Sequence, residues 1–191
     1  SITVGASNSD PTANQYAIGM AAGYFGDKST PAYTGNIVNK GIINVNGEYS
    51  IGMYGIERGT TVTNDGTINL NASNTTGMYL DNGAYGINNG IIKSNGTGLK
   101  KVVGMVVKNG STIENNGTIQ ANGDKSIGLY GETNDLYGRG LTSSNGSITN
   151  NGKLILTGNK AVGIVSNGLG NTVTLKGTGS SDIVIQGTEG I

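Results

Sequence analysis

The sequence predicts an all-β fold, a right-handed parallel β-helix, and three observations carry that prediction. A repeat of about 25 residues runs along the chain, each repeat holds three strand-like stretches, and Gly and Asn recur in fixed columns. One motif reads Ile18-Gly19-Met20, Ile51-Gly52-Met53, Thr76-Gly77-Met78, Val103-Gly104-Met105, Ile127-Gly128-Leu129 and Val162-Gly163-Ile164. A second reads Asn39-Lys40-Gly41, Asn64-Asp65-Gly66, Asn88-Asn89-Gly90, Asn115-Asn116-Gly117 and Asn150-Asn151-Gly152, and the two alternate strictly.

Spacing divides the repeat into a constant arc and a variable corner. From Ile37, Val62, Gly86, Ile113 and Ile148 to the next first-motif Gly there are 15, 15, 18, 15 and 15 residues. From each first-motif Gly forward to the same positions there are 18, 10, 9, 9 and 20. Insertions therefore gather at one corner, at about Gly23 to Gly35 and Gly131 to Asn145. The third repeat is irregular, with extra residues around Gly98 to Lys101 and Gly86 where a β-branched residue is expected. Residues 1–191 read as one β-solenoid segment of about six coils with two longer loops. Asn-Gly is also a hairpin signal, but hairpins in an antiparallel sandwich give no reason for the constant arc.

Stacked coils turn repeats into columns. Period-two alternation directs Ile51, Met53, Val62, Ile68 and Leu70 inward, with Val103, Met105, Ile113, Ile127, Leu129, Ile148, Leu154 and Leu156 as equivalents. The same alternation directs the Gly19, Gly52, Gly77, Gly104, Gly128 and Gly163 column outward. Asn39, Asn64, Asn88, Asn115 and Asn150 form a column expected to bond amide to amide along the rod. Tyr54, Tyr79 and Tyr130, interrupted by Val106, form an aromatic column. It is either a ladder that stabilises the rod or a face that stacks on sugars. Ile2 to Val4 and Ile183 to Ile185 read as end strands whose open edges further coils would cover.

Composition limits the chemistry. Twelve basic and twelve acidic residues cancel, so no net field favours nucleic acid or anionic lipid. No apolar stretch has the length of a membrane span, so this segment is not expected to insert directly in a membrane. Cys and His are absent, which removes disulfides, thiolates and the usual general base, and a Cys-free chain suits an exported protein. Glu48 and Asp124 share a register but lie three coils apart, about 14 Å, wider than the roughly 5–9.5 Å of a glycosidase pair. Glu57, Asp81, Lys108 and Glu132 share a register with mixed sign and read as a surface charge ladder. No catalytic residue, metal site or cofactor is expected.

Ser50 to Tyr54, Asn115 to Ile119 and Asn122 to Gly128 resemble repeats in passenger domains of type V autotransporters, particularly the large fusobacterial outer-membrane adhesins. The resemblance covers roughly residues 17 to 165. It implies a β-helix at the cell surface, carried by a C-terminal translocator outside this sequence or secreted, and partners that are host-cell or bacterial surface proteins or glycans. The expected ligand-facing residues rest on physical argument alone. They are Tyr24, Phe25, Asp27, Lys28 and Tyr33 in the first insertion and Glu132, Asp135, Tyr137 and Arg139 in the second, aromatics mixed with charge on loops held by a rigid scaffold. Three readings follow: an adhesin, a structural stalk that displays a binding domain elsewhere, and, more distantly, a polysaccharide-processing enzyme.

Overall fold

The computed structural model describes residues 1–7, 16–26, 29–133, 146–168, 170–176 and 183–191. Successive coils contribute β1 (Ile2–Val4), β2 (Ile18–Ala22) and β3 (Asn36–Asn39); β4 (Ile42–Val45), β5 (Ile51–Ile56) and β6 (Thr61–Asn64); and β7 (Thr67–Leu70), β8 (Thr76–Asp81) and β9 (Tyr85–Asn88). Then come β10 (Ile91–Ser94), β11 (Val103–Lys108) and β12 (Thr112–Asn115); β13 (Thr118–Ala121), β14 (Ile127–Glu132) and β15 (Ser147–Asn150); and β16 (Lys153–Leu156), β17 (Val162–Asn167) and β18 (Thr172–Leu175), followed by β19 (Ile183–Ile185). Every third strand pairs in parallel, giving sheets β1-β4-β7-β10-β13-β16-β19, β2-β5-β8-β11-β14-β17 and β3-β6-β9-β12-β15-β18. This is the right-handed parallel β-helix that the repeat predicts. The expected end strands coincide with β1 and β19.

The core is one column of side chains running along the rod. Met53, Val62, Ile68, Leu70, Met105, Ile113, Leu129, Ile148, Leu154 and Leu156 all lie in it, as the alternation requires. The residues that open the first motif do not. Val103 and Ile127 stay half-exposed, and Ile51 is buried outside the core cluster.

The glycine column corrects the sequence reading, because it faces inward. A Cβ on Gly52, Gly77 or Gly104 would stand 2.8, 2.6 and 2.6 Å from the Cγ2 of Ile68, Ile92 and Ile119 on the neighbouring sheet. It would also stand 2.7, 2.6 and 2.5 Å from the carbonyl oxygen of the equivalent glycine one coil on. The glycine and the residue after it, Gly52 with Met53 for example, both face the interior, so strict alternation fails across this pair. Glycine is required because the isoleucine column of the facing sheet occupies the space of a side chain.

The Asn column stands as predicted. Asn39, Asn64, Asn88 and Asn115 each donate Nδ2–H to Oδ1 of the next residue in the column, at 2.7, 2.7, 2.7 and 2.8 Å, and Asn150 ends the run by donating to the Gly152 carbonyl at 2.9 Å. All five are buried. The ladder bridges coil lengths of 25, 24, 27 and 35 residues without a break in register. A second ladder outside it runs the opposite way: Asn151 donates to Asn116, Asn116 to Asn89, and Asn89 to Asp65.

The irregular third repeat has a packing explanation. Leu80 fills the space at Gly86, where a Cβ would stand 2.7 Å from its Cδ2. The coils on either side reverse or balance the sizes. Gly55 faces Val62 and Gly131 faces Ile148, while Val107 and Ile113 share the fourth coil. The extra residues before Lys101 return Leu99 to the core, where it is 8% exposed.

Gly104→Ala is expected to lower stability by about 1–3 kcal/mol through overpacking, read as a reduced denaturant midpoint. Asn115→Ala orphans the Asn88 donor and the Asn150 acceptor, two buried groups, and should cost about 2–4 kcal/mol by the same measurement.

Candidate functional site

Both insertions connect the β2 sheet to the β3 sheet, at β2–β3 and at β14–β15, so they leave the same corner four coils, or about 19 Å, apart. The first departs at Gly23, whose φ is +85° and where a Cβ would lie 1.9 Å from the Ile56 carbonyl oxygen. Only glycine lets the chain pass the next coil this closely. Tyr24 and Tyr33 then close the loop as an antiparallel bridge, exchanging N–H···O bonds of 2.8 and 2.9 Å. The Gly35 N–H returns to Thr60 Oγ1 at 3.3 Å, which ties the loop base to the second coil.

Against this loop lies a cleft of about 410 Å³ lined by Phe25, Ala32, Glu57, Arg58, Asn82, Gly83 and Asn109. Glu57, Asn82 and Asn109 occupy the corner of successive coils with φ of +87°, +51° and +48°. Asn82 Nδ2 donates to Glu57 Oε2 at 2.8 Å, which points the carboxylate along the corner. The exposed Arg58 guanidinium has no ion-pair partner among the described residues. The cleft thus offers an aromatic ring, a cation, a carboxylate and amides on rigid backbone.

The charge column behind the cleft is not a surface ladder. Asp81 and Lys108 are 4% and 8% exposed, because β8 and β11 run six residues and carry both onto the inner side of the corner. Burial forces pairing. Asp81 Oδ1 accepts from Asn109 Nδ2 and from the Asn82 N–H, both at 2.8 Å. Lys108 Nζ stands 2.5 Å from Glu132 Oε1, and the Tyr130 hydroxyl donates to Glu132 as well. Burial alone would raise the Glu132 carboxyl, but the Lys108 ammonium and the Tyr130 hydroxyl outweigh it and hold the group below its ordinary value. Burial, reinforced by the Glu132 hydrogen bond, pushes the Tyr130 hydroxyl up.

Of the expected loop residues, Tyr24, Phe25 and Tyr33 lie at the first insertion, Phe25 in the cleft wall, and Glu132 lies in the ion-paired corner. Asp27, Lys28, Asp135, Tyr137 and Arg139 fall outside the described residues. Tyr54 and Tyr79 stack one coil apart, with ring centroids 5.9 Å apart and planes at 30°. Val106 separates them from Tyr130. Arg58, Asn82 and Asn109 were not singled out from the sequence. Their signal is the short turn Arg58-Gly59-Thr60, Asn82-Gly83-Ala84 and Asn109-Gly110-Ser111, which recurs just after the tyrosine column.

Lys108→Met should strand the Glu132 carboxylate and destabilise the fold by about 3 kcal/mol at neutral pH. The native pair acts in the depressed-carboxylate sense. Its contribution is present above the ordinary glutamate pKa and is lost as pH falls through the lowered folded value. Urea midpoints measured down the acid range should therefore fall more steeply in the native chain than in Lys108→Met.

Residues 1–91, which include the first insertion and most of the cleft wall, match the family model described as the BigA third pectate lyase-like domain. No curated protein and no solved structure matches the chain. The N-terminal coils are thus similar to a pectate lyase-like β-helix domain.

Proposed function

We propose that this β-helix is an adhesive segment of a bacterial surface protein. On this reading it is outer-membrane-anchored through a translocator or secreted, and it binds a protein or glycan on host cells or other bacteria without catalysing a reaction. The observation that carries the reading is the cleft beside the first insertion, with Phe25, Glu57, Arg58, Asn82 and Asn109 held on its wall. A rigid scaffold that fixes mixed aromatic and charged groups at the foot of a loop lowers the ordering cost of binding. The similarity of residues 1–91 to a BigA domain supports the surface assignment, and the pattern of Asn-Gly repeats resembling autotransporter passengers supports export.

The stalk reading has its own support. Stacking of Tyr54 on Tyr79 and the amide ladders satisfy the walls internally, which is all a spacer needs.

The test is binding of the 191-residue chain to host cells and partner bacteria, before and after both insertions are trimmed to the ten-residue spacing of the second coil. Trimming should leave the β-sheet circular dichroism intact and abolish attachment. Arg58→Ala with Phe25→Ala should weaken attachment at least tenfold, about 1.4 kcal/mol or more. Attachment that survives trimming places the ligand elsewhere on the rod, and an intact chain that attaches to neither cell type supports the stalk.

A further inference from the structure

A second surface lies on a different corner, between the β10-β13-β16 sheet and the β11-β14-β17 sheet. Tyr49, Asn74, Lys101, Lys125, Lys160 and Glu189 occupy it on successive coils, all with φ between +54° and +58°. Backbone bonds hold the column in register: the Lys101 N–H donates to the Asp124 carbonyl, Lys125 to Asn159 and Lys160 to Thr188, at 2.8, 2.8 and 2.9 Å. The three lysines therefore stand one coil apart, roughly 4.8 Å, in a line along the rod.

Two features of this column ask for an explanation outside the fold. Left-handed backbone is easiest for Gly or Asn, and the chain contains 35 glycines, yet none of the six residues here is Gly and only one is Asn. Like charges stacked on adjacent coils also repel. Lys160 is relieved by Glu189 at 3.1 Å, but Lys101, Lys125 and the adjacent Lys100 have no ion pair among the described residues. Asp124, next to Lys125 in the chain, accepts the Asn159 N–H at 2.9 Å and makes no ion pair with these lysines. All four lysines are exposed. The chain as a whole is neutral, so this is a local positive line and not part of a general basic surface.

We propose that this column binds a linear acidic polysaccharide, sulfated or uronate-bearing, laid along the rod axis. The coils of Lys101, Lys125 and Lys160 each offer an ammonium from this column to an anionic group, and binding removes the repulsion between stacked lysines. Tyr49, 44% exposed at the head of the column, offers a face for a sugar ring. Beside the lysines, Asn159 Oδ1 is taken by the Thr188 hydroxyl at 2.8 Å, which leaves the Asn159 and Asn74 amide N–H groups for sugar hydroxyls. A line one residue wide suits a single extended polymer better than a nucleic-acid duplex, whose phosphates need contacts across a groove.

The test uses the 191-residue chain with three probes: heparin as the sulfated polymer, polygalacturonate as the uronate polymer, and a short DNA duplex. Binding to one or both polysaccharides is expected, weakening as sodium chloride is raised. The triple variant Lys101→Asn, Lys125→Asn, Lys160→Asn should lose at least tenfold in affinity. It should fold normally, since Asn accepts this backbone and Asn74 already occupies the column. Trimming the two insertions should leave polysaccharide binding unchanged, so failure of the cleft and failure of this column are separable. No binding of either polymer at low salt, equal binding by the folded triple variant, or DNA binding as tight as that of the better polysaccharide would each overturn the proposal.

Discussion

Coils stacked in register bring backbone against backbone at every turn, and the rest of the molecule is arranged around that contact. Where the turns after the Asn ladder pile up, a Cβ on Gly66, Gly90, Gly117 or Gly152 would come within 2.0–2.2 Å of the glycine carbonyl one coil below. The inward glycine column meets the same limit against Ile68, Ile92 and Ile119. Glycine at these positions lets the sheets close at the corners, and closure is what buries the Met53, Met78 and Met105 column and the Asn amides beside it. The amides in turn fix register, because a slipped coil would leave a buried donor and acceptor without partners. Variable corners are then tolerable. A 35-residue coil keeps the same ladder as a 24-residue one.

On the proposed reading, binding falls to what projects from the corners. The walls are occupied with their own interactions: Tyr54 stacks on Tyr79, and the outer amides of Asn89, Asn116 and Asn151 bond to neighbouring coils. The insertion corner and the lysine corner differ because their backbone differs. One has room for loops and forms a concave cleft, while the other is held by carbonyl bonds at Asn74, Lys101, Lys125 and Lys160 and forms a straight line of side chains.

Repeat length, coil number, the Asn ladder and most of the core were legible because each depends on a residue type that recurs at fixed spacing. The facing of Gly52 and its equivalents was not, since strict alternation would send one of two neighbouring residues outward, and here Gly52 and Met53 both face inward. For the same reason Ile51, Val103 and Ile127 were placed inward and lie outside the core cluster. The buried pairing of Lys108 with Glu132 was also missed. Strand length decides it, and a three-residue motif does not reveal that β11 and β14 extend to six. The cleft was half legible. Its loop announced itself by length and by Phe25, whereas Arg58, Asn82 and Asn109 share only a place ahead of Gly59, Gly83 and Gly110 in a short turn, which no apolar periodicity marks.

The exchange of size between Leu80 with Gly86 and Gly55 with Val62 bears on how such rods change over generations. Each partner pair sits within one coil, one member on either side of the insertion corner. Duplicating or deleting a coil carries both members together and keeps the interior filled. A crossover between coils at that corner separates them, joining glycine to glycine over a void or Leu80 to Val62 in a space too small for both. The corner that tolerates any length of insertion is therefore the one at which coils are least free to recombine, and loops there are expected to diversify by growth within a coil instead of by exchange between coils.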